Sequence, residues 1–213
     1  CPAFVLRGIY MPHWGQKIQD GRAIYRFQKR NRLNNYTSVH APTSKRSNCH
    51  NFYDYVSPDL YFKTHPEYFS MNKEGQRFHG KNGLGGQLCM TNPDVADIAA
   101  KVLESFIIDD RKTLPKEKWP VIYDISQLDN TSYLCLCPKC AELSEKEGSD
   151  AALVLTFINR IADIIRPAYP EVVIRTMAYV SSELAPKTMR PAENVLIQIC
   201  DLYTRSDCYR PLT

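Results

Sequence analysis

Two carboxylates and one guanidinium stand at the ends of short apolar runs, where side chains of a parallel α/β fold meet a ligand. Hydrolysis of a glycosidic bond needs one carboxylic acid to protonate the leaving oxygen. It also needs a second group to supply or position the nucleophile. Asp129, in the polar cluster from Asp124 to Asn130, is the candidate acid; the neighbouring Asp-Asn-Thr-Ser is also turn chemistry, so a capping or turn aspartate is the other reading. Asp201, after the apolar run ending at Cys200, is the candidate second carboxylate and base. A separation of two strands around a barrel mouth would leave room there for a water. Its alternatives are a plain loop aspartate and a rival carboxylate at Asp207. Arg7 lies inside an apolar run, which is costly unless it is paired: it either reaches a sugar hydroxyl or carboxylate, or closes a structural ion pair.

Around these stand the candidate substrate-binding residues. Gln127 and Asn130 flank Asp129, and Asn92 follows the run at 87–91. Tyr179 ends the run at 172–179, placed to stack on or bond a sugar, or to pack in the core. None of His40, His50 and His65 earns a role from its spacing, a lone histidine being more often structural; His50 joins this set only through the family resemblance that its segment HNFY carries.

Cys135, Cys137 and Cys140 form the sharpest local motif, Cys-Leu-Cys-Pro-Lys-Cys. Three thiolates at this spacing suit zinc, with Cys200, Cys208 or a histidine as fourth ligand. No second Cys-x-x-Cys lies at zinc-ribbon distance, so buried thiols or a disulfide bracing the loop is the first reading. No metal and no cofactor is assigned, and a zinc-stabilised interaction module stays as a third functional reading.

These side chains require elements to carry them. Strands are expected at 4–10, 32–36, 87–91, 121–126, 172–179 and 195–200, alternating with helical patterns, which is the order of parallel βα units. The clearest helix begins at Asn92, an N-cap followed by Pro93. Its stripe is Val95, Ile98, Ala99, Val102, Leu103 and Phe106. A second spans 149–166, with Val154, Phe157, Ile158, Ile161, Ala162 and Ile165 on one face and Pro167 beyond it. The expected fold is therefore α/β, a (β/α)₈ TIM-type barrel cut to about six βα units. Residues 1–213 would form one glycoside-hydrolase-like domain belonging to a longer protein.

The 213-residue chain carries a net charge of +4, too mild and too evenly spread to argue for nucleic acid. No apolar run reaches the roughly 18 residues of a membrane span. Thirteen Tyr, eight Phe and two Trp are a generous aromatic supply; most are expected in the core, and a surplus is what a sugar cleft also uses.

The segments RGIY (7–10), NRLN (31–34), HNFY (50–53), HPEYF (65–69), QLCMTNPDV (87–95), SQLDN (126–130), CLCPKC (135–140) and TMAY (176–179) resemble one bacterial family, domain of unknown function 4838. The likeness covers essentially the whole chain. It implies a barrel of secreted glycan-degrading proteins, similar in turn to α-glucuronidases and more remotely to β-N-acetylhexosaminidases. By that resemblance Arg7 is the substrate arginine of the first strand, Asp129 the acidic position after the fourth and Asp201 the base after the sixth. Hexosaminidases carry two adjacent acids where this chain has Asp129-Asn130, a departure that counts against their substrate-assisted chemistry. The expected location is secreted, periplasmic or cell-surface. The expected activity is hydrolysis of a complex, uronic-acid-containing glycan, with a non-catalytic carbohydrate-binding barrel as the alternative.

Overall fold

The computed structural model of the protein describes residues 49–81, 84–129 and 134–200. In chain order these form α1 (Phe52–Tyr55), α2 (Pro58–Tyr61), the two-residue strands β1 (Gly80–Lys81) and β2 (Leu84–Gly85), α3 (Pro93–Thr113), β3 (Ile122–Asp124), α4 (Pro138–Glu147), α5 (Ala151–Ile165), β4 (Val173–Ala178) and β5 (Val195–Ile199). None of the helices described is long and apolar enough to cross a membrane.

The two long helices form where the 3.6-residue pattern puts them. Asn92 caps α3, its side-chain oxygen accepting the Asp94 N–H at 3.1 Å, and Pro93 occupies the first helical position, where a missing N–H costs nothing. Val95, Ala99 and Leu103 are buried along its inner face, with Ile98, Val102 and Phe106 partly covered beside them. On α5 the whole expected stripe is buried, Val154, Phe157, Ile158, Ile161, Ala162 and Ile165. The helices pack together, and Arg160 on α5 grips Asp97 on α3 through two hydrogen bonds of 2.8 and 3.0 Å. α4 ends at Gly148, whose φ of +71° is the left-handed conformation that closes a helix without a Cβ clash.

Three of the expected strands exist in the described region, as β3, β4 and β5. They form one sheet in that order, parallel throughout, with Asp124 opposite Arg175 and Ala178 opposite Ile199.

The barrel expectation is overturned. The described chain forms a mixed α/β fold with five helices and a small, open, three-stranded parallel sheet, not a closed (β/α)₈ cylinder. The expected strand at 87–91 does not join that sheet. Leu88 makes one antiparallel bridge to Phe69, and the chain then turns at Met90–Thr91 into α3. The connection from β4 to β5 also departs from a βα repeat, since it holds only a 3₁₀ turn at Val180–Ser182. The expected strands at 4–10 and 32–36 lie outside the described residues.

Candidate functional site

At the carboxyl ends of β3 and β4 three separate segments converge. His50 arrives just before α1, Gln127 to Asp129 follow β3, and Tyr179 follows β4. In parallel α/β sheets this edge is where ligands bind, because the loops leaving the strands there are free of sheet pairing.

The segment after β3 is held by side-chain amides doing the work of a neighbouring strand. Asn51 donates to the Asp124 carbonyl at 2.7 Å and accepts the Ser126 N–H at 2.9 Å. Gln87 donates to the Leu128 carbonyl at 2.8 Å and accepts the Leu128 N–H at 3.0 Å. Both amides are buried: Gln87 satisfies both main-chain groups of Leu128, and Asn51 satisfies the Ser126 N–H and shares the Asp124 carbonyl with the Tyr55 hydroxyl, which donates to it at 2.9 Å.

On this support stands the polar cluster. Tyr179 donates its hydroxyl to Asp129 Oδ1 at 2.6 Å. Burial, and then the bond to Asp129, push the Tyr179 hydroxyl up, so it stays a donor through the ordinary pH range. The His50 ring meets the Tyr179 ring edge to face, with centroids 5.2 Å apart. His50 Nδ1 lies 2.8 Å from the Gln127 carbonyl, which can only accept. Nδ1 therefore carries a proton, and in the neutral ring Nε2 carries the lone pair. The Gln127 amide donates to the Tyr179 carbonyl at 3.2 Å and accepts from the Ser182 hydroxyl at 2.5 Å. Asp129 itself is exposed.

Backbone strain is concentrated here. Among the described residues two non-glycine positions have positive φ, His50 at +62° and the β-branched Val180 at +51°. Each costs of order 1–3 kcal/mol and persists only where surrounding contacts enforce it. His50 makes the ring contact with Tyr179, and Val180 is the residue that follows Tyr179 in the chain.

Behind the cluster lies an ion pair that sequence reasoning missed. Arg175 Nε donates to Asp124 Oδ2 at 2.7 Å, and Ser126 donates to Oδ1 at 2.5 Å, all three residues being buried. Burial pushes the Asp124 carboxyl up, while the Arg175 guanidinium and the Ser126 hydroxyl pull the other way. The signal was present: an arginine in the middle of the apolar run Val-Ile-Arg-Thr-Met-Ala, the same oddity that singled out Arg7.

Of the expected site residues, His50, Gln127, Asp129 and Tyr179 are brought together. Asn92 is not among them; its side chain is spent on capping α3. Arg7, Asn130 and Asp201 lie outside the described residues.

A second cluster gathers sulfur. Cys89, Cys135, Cys137 and Cys140 are all buried and unbridged, with their sulfur atoms within 4.8 Å of one another. Among the described residues the fourth thiol is Cys89, from the segment expected to be a strand, and not Cys200; Cys208 lies outside the described residues.

The family model described as Domain of unknown function (DUF4838) matches residues 1–213. No curated protein and no solved structure matches the chain.

Proposed function

The chain belongs to the family Domain of unknown function (DUF4838), and within it we propose a carbohydrate-processing role, with Asp129 as the acid of glycosidic bond hydrolysis and His50, Gln127 and Tyr179 as its sugar-binding surroundings. The single observation that carries this reading is the exposed Asp129 carboxylate, fixed by the Tyr179 hydroxyl at the carboxyl edge of a parallel sheet. A positioned carboxylate beside an aromatic face and a histidine suits a ring that offers both hydroxyls and an apolar face. Kinship with α-glucuronidase-type enzymes, and hence a uronic-acid-containing substrate, belongs to the same proposal. Asp201 remains its intended partner as base, with Arg7 as substrate anchor.

The test is a panel of glycans, uronic-acid-containing polymers included, assayed with the full chain and with Asp129→Asn. Replacing a general acid lowers turnover by roughly 10²–10⁴-fold while leaving the fold intact. Undiminished hydrolysis by the variant removes Asp129 from the mechanism.

One observation favours a second reading, a binding site without chemistry. Within the hydrogen-bonded cluster the other described carboxylate, Asp124, is buried against Arg175 and not open to a substrate. Glycan binding by the parent chain without turnover, lost or weakened in Tyr179→Phe, would select it.

A further inference from the structure

We propose that Cys89, Cys135, Cys137 and Cys140 form a closed tetrathiolate site for one thiophilic divalent metal ion, zinc being the ion whose bonds the cage fits. A regular tetrahedron of sulfurs about zinc, with bonds of about 2.3 Å, has edges of about 3.8 Å. Cys89 Sγ and Cys137 Sγ stand 3.7 Å apart, and no pair among the four exceeds 4.8 Å. A disulfide would require about 2.05 Å, so the cage has the size of a metal site rather than of two cross-links.

Three features separate this cage from thiols that merely fill a core. The first is convergence: Cys89 lies 48 positions before Cys137, yet it meets the Cys-Leu-Cys-Pro-Lys-Cys loop sulfur to sulfur. The second is donors directed at sulfur. The Met71 N–H reaches Cys135 Sγ at 3.4 Å and Arg77 Nη1 reaches it at 3.8 Å, while the Thr91 hydroxyl, which donates to a thiolate and can accept from a thiol, lies 3.0 Å from Cys140 Sγ. Such donors stabilise thiolates and orient them as outer partners of a bound ion, and they offer little to neutral thiols, which behave as small apolar groups. Four thiolates around a dication leave two negative charges, which the Arg77 guanidinium partly offsets. The third is the entry to α4. Cys137 is its N-cap and Cys140 lies in its first turn, where the helix dipole favours negative sulfur.

All four side chains are at most 4% exposed, so no coordination position opens to solvent. A filled, buried four-sulfur shell is a structural site, not a catalytic one. Each thiol that takes up a coordination position gives its proton to solvent, so binding of the ion by four protonated thiols releases four protons. The ion would tie the segment between Gln87 and α3 to the loop ahead of α4. The site stands independently of any glycan chemistry.

The experiment is metal analysis of the purified full chain, with mercurial titration of its thiols while metal release is followed. The expected result is one zinc per chain, released as four thiols react. Cobalt reconstitution should give the sulfur-to-cobalt charge-transfer and tetrahedral bands of a four-sulfur site. Cys89→Ser, which leaves Cys-Leu-Cys-Pro-Lys-Cys untouched, should bind metal at least tenfold more weakly. Cys49→Ser, an exposed thiol outside the cage, should retain the full complement. Folded parent chain without bound metal, intact-mass evidence that the four cysteines are paired as disulfides, or full stoichiometry in Cys89→Ser would each overturn the site. The measurements on the parent chain decide the matter even if the serine variant does not fold.

Discussion

Glu147 closes α4 by accepting three hydrogen bonds from the chain after β4: the Thr188 hydroxyl at 2.6 Å, the Thr188 N–H at 2.8 Å and the Met189 N–H at 3.2 Å. The Thr188 hydroxyl, then the main-chain donors, hold the Glu147 carboxyl below the ordinary glutamate range. A carboxyl depressed in the folded state stabilises the fold above the ordinary carboxylate range of about 4 to 4.5, and that contribution is lost as the pH falls below it. Glu147→Gln should therefore be less stable than the parent at neutral pH, with the difference shrinking towards pH 3. Denaturant titrations at both pH values check this, and a gap that is constant with pH would show that the charge is not what matters. At this scale the sequence was partly legible. Asp129, Gln127 and Tyr179 stood out as candidates because they interrupt or end apolar runs, whereas His50 stood out only through the family resemblance of its segment. Arg175 could have been found by the same reasoning that marked Arg7. Asn92 shows its limit, since a residue that begins a helix and ends an apolar run satisfies two descriptions, and its hydrogen bond to Asp94 decides between them.

Between residue and molecule the amide braces are the informative elements. Gln87 pairs with both main-chain groups of Leu128 and so carries the stretch that presents Asp129. Gln87→Leu leaves those buried groups unsatisfied and should cost about 2–4 kcal/mol, roughly 1–3 for each group less what the leucine regains by packing. It should also weaken any glycan binding that depends on Asp129. Thermal unfolding and a binding titration measure the two effects, and wild-type values for both would show that the brace is dispensable. Beside it, Gly86 admits no side chain, because an added Cβ would fall 2.3 Å from the His79 carbonyl. The helices α3 and α5 were readable because a 3.6-residue stripe over fifteen or more residues has no competing explanation. The segment at 87–91 was expected to be a strand because Leu-Cys-Met is a short apolar run just ahead of a helix start. Its polar positions are instead consumed by a brace at Gln87 and a sulfur contact at Cys89, leaving Leu88 with a single bridge.

Among the described residues one hydrophobic cluster links α1, α3, α5 and β4, and reaches the cysteine cage. Phe157 on α5 lies at its centre, fully buried, its ring 5.3 Å from that of Phe52. Phe157→Ala should cost about 3–5 kcal/mol. Because the described core is continuous, far-ultraviolet dichroism and the fluorescence of Trp119 in a Trp14→Phe background should report the same shifted transition. Two separated transitions would show that the core is divided.

The amino-acid order by itself determined the two amphipathic helices and three parallel strands, because each is a local matter of periodicity, caps and polar punctuation. It did not determine how many strands share the described sheet, that Arg175 meets Asp124, or that Cys89 joins three cysteines far along the chain. Those outcomes depend on which buried surfaces and donors can be satisfied together at long range, and that choice is made only when the chain closes on itself.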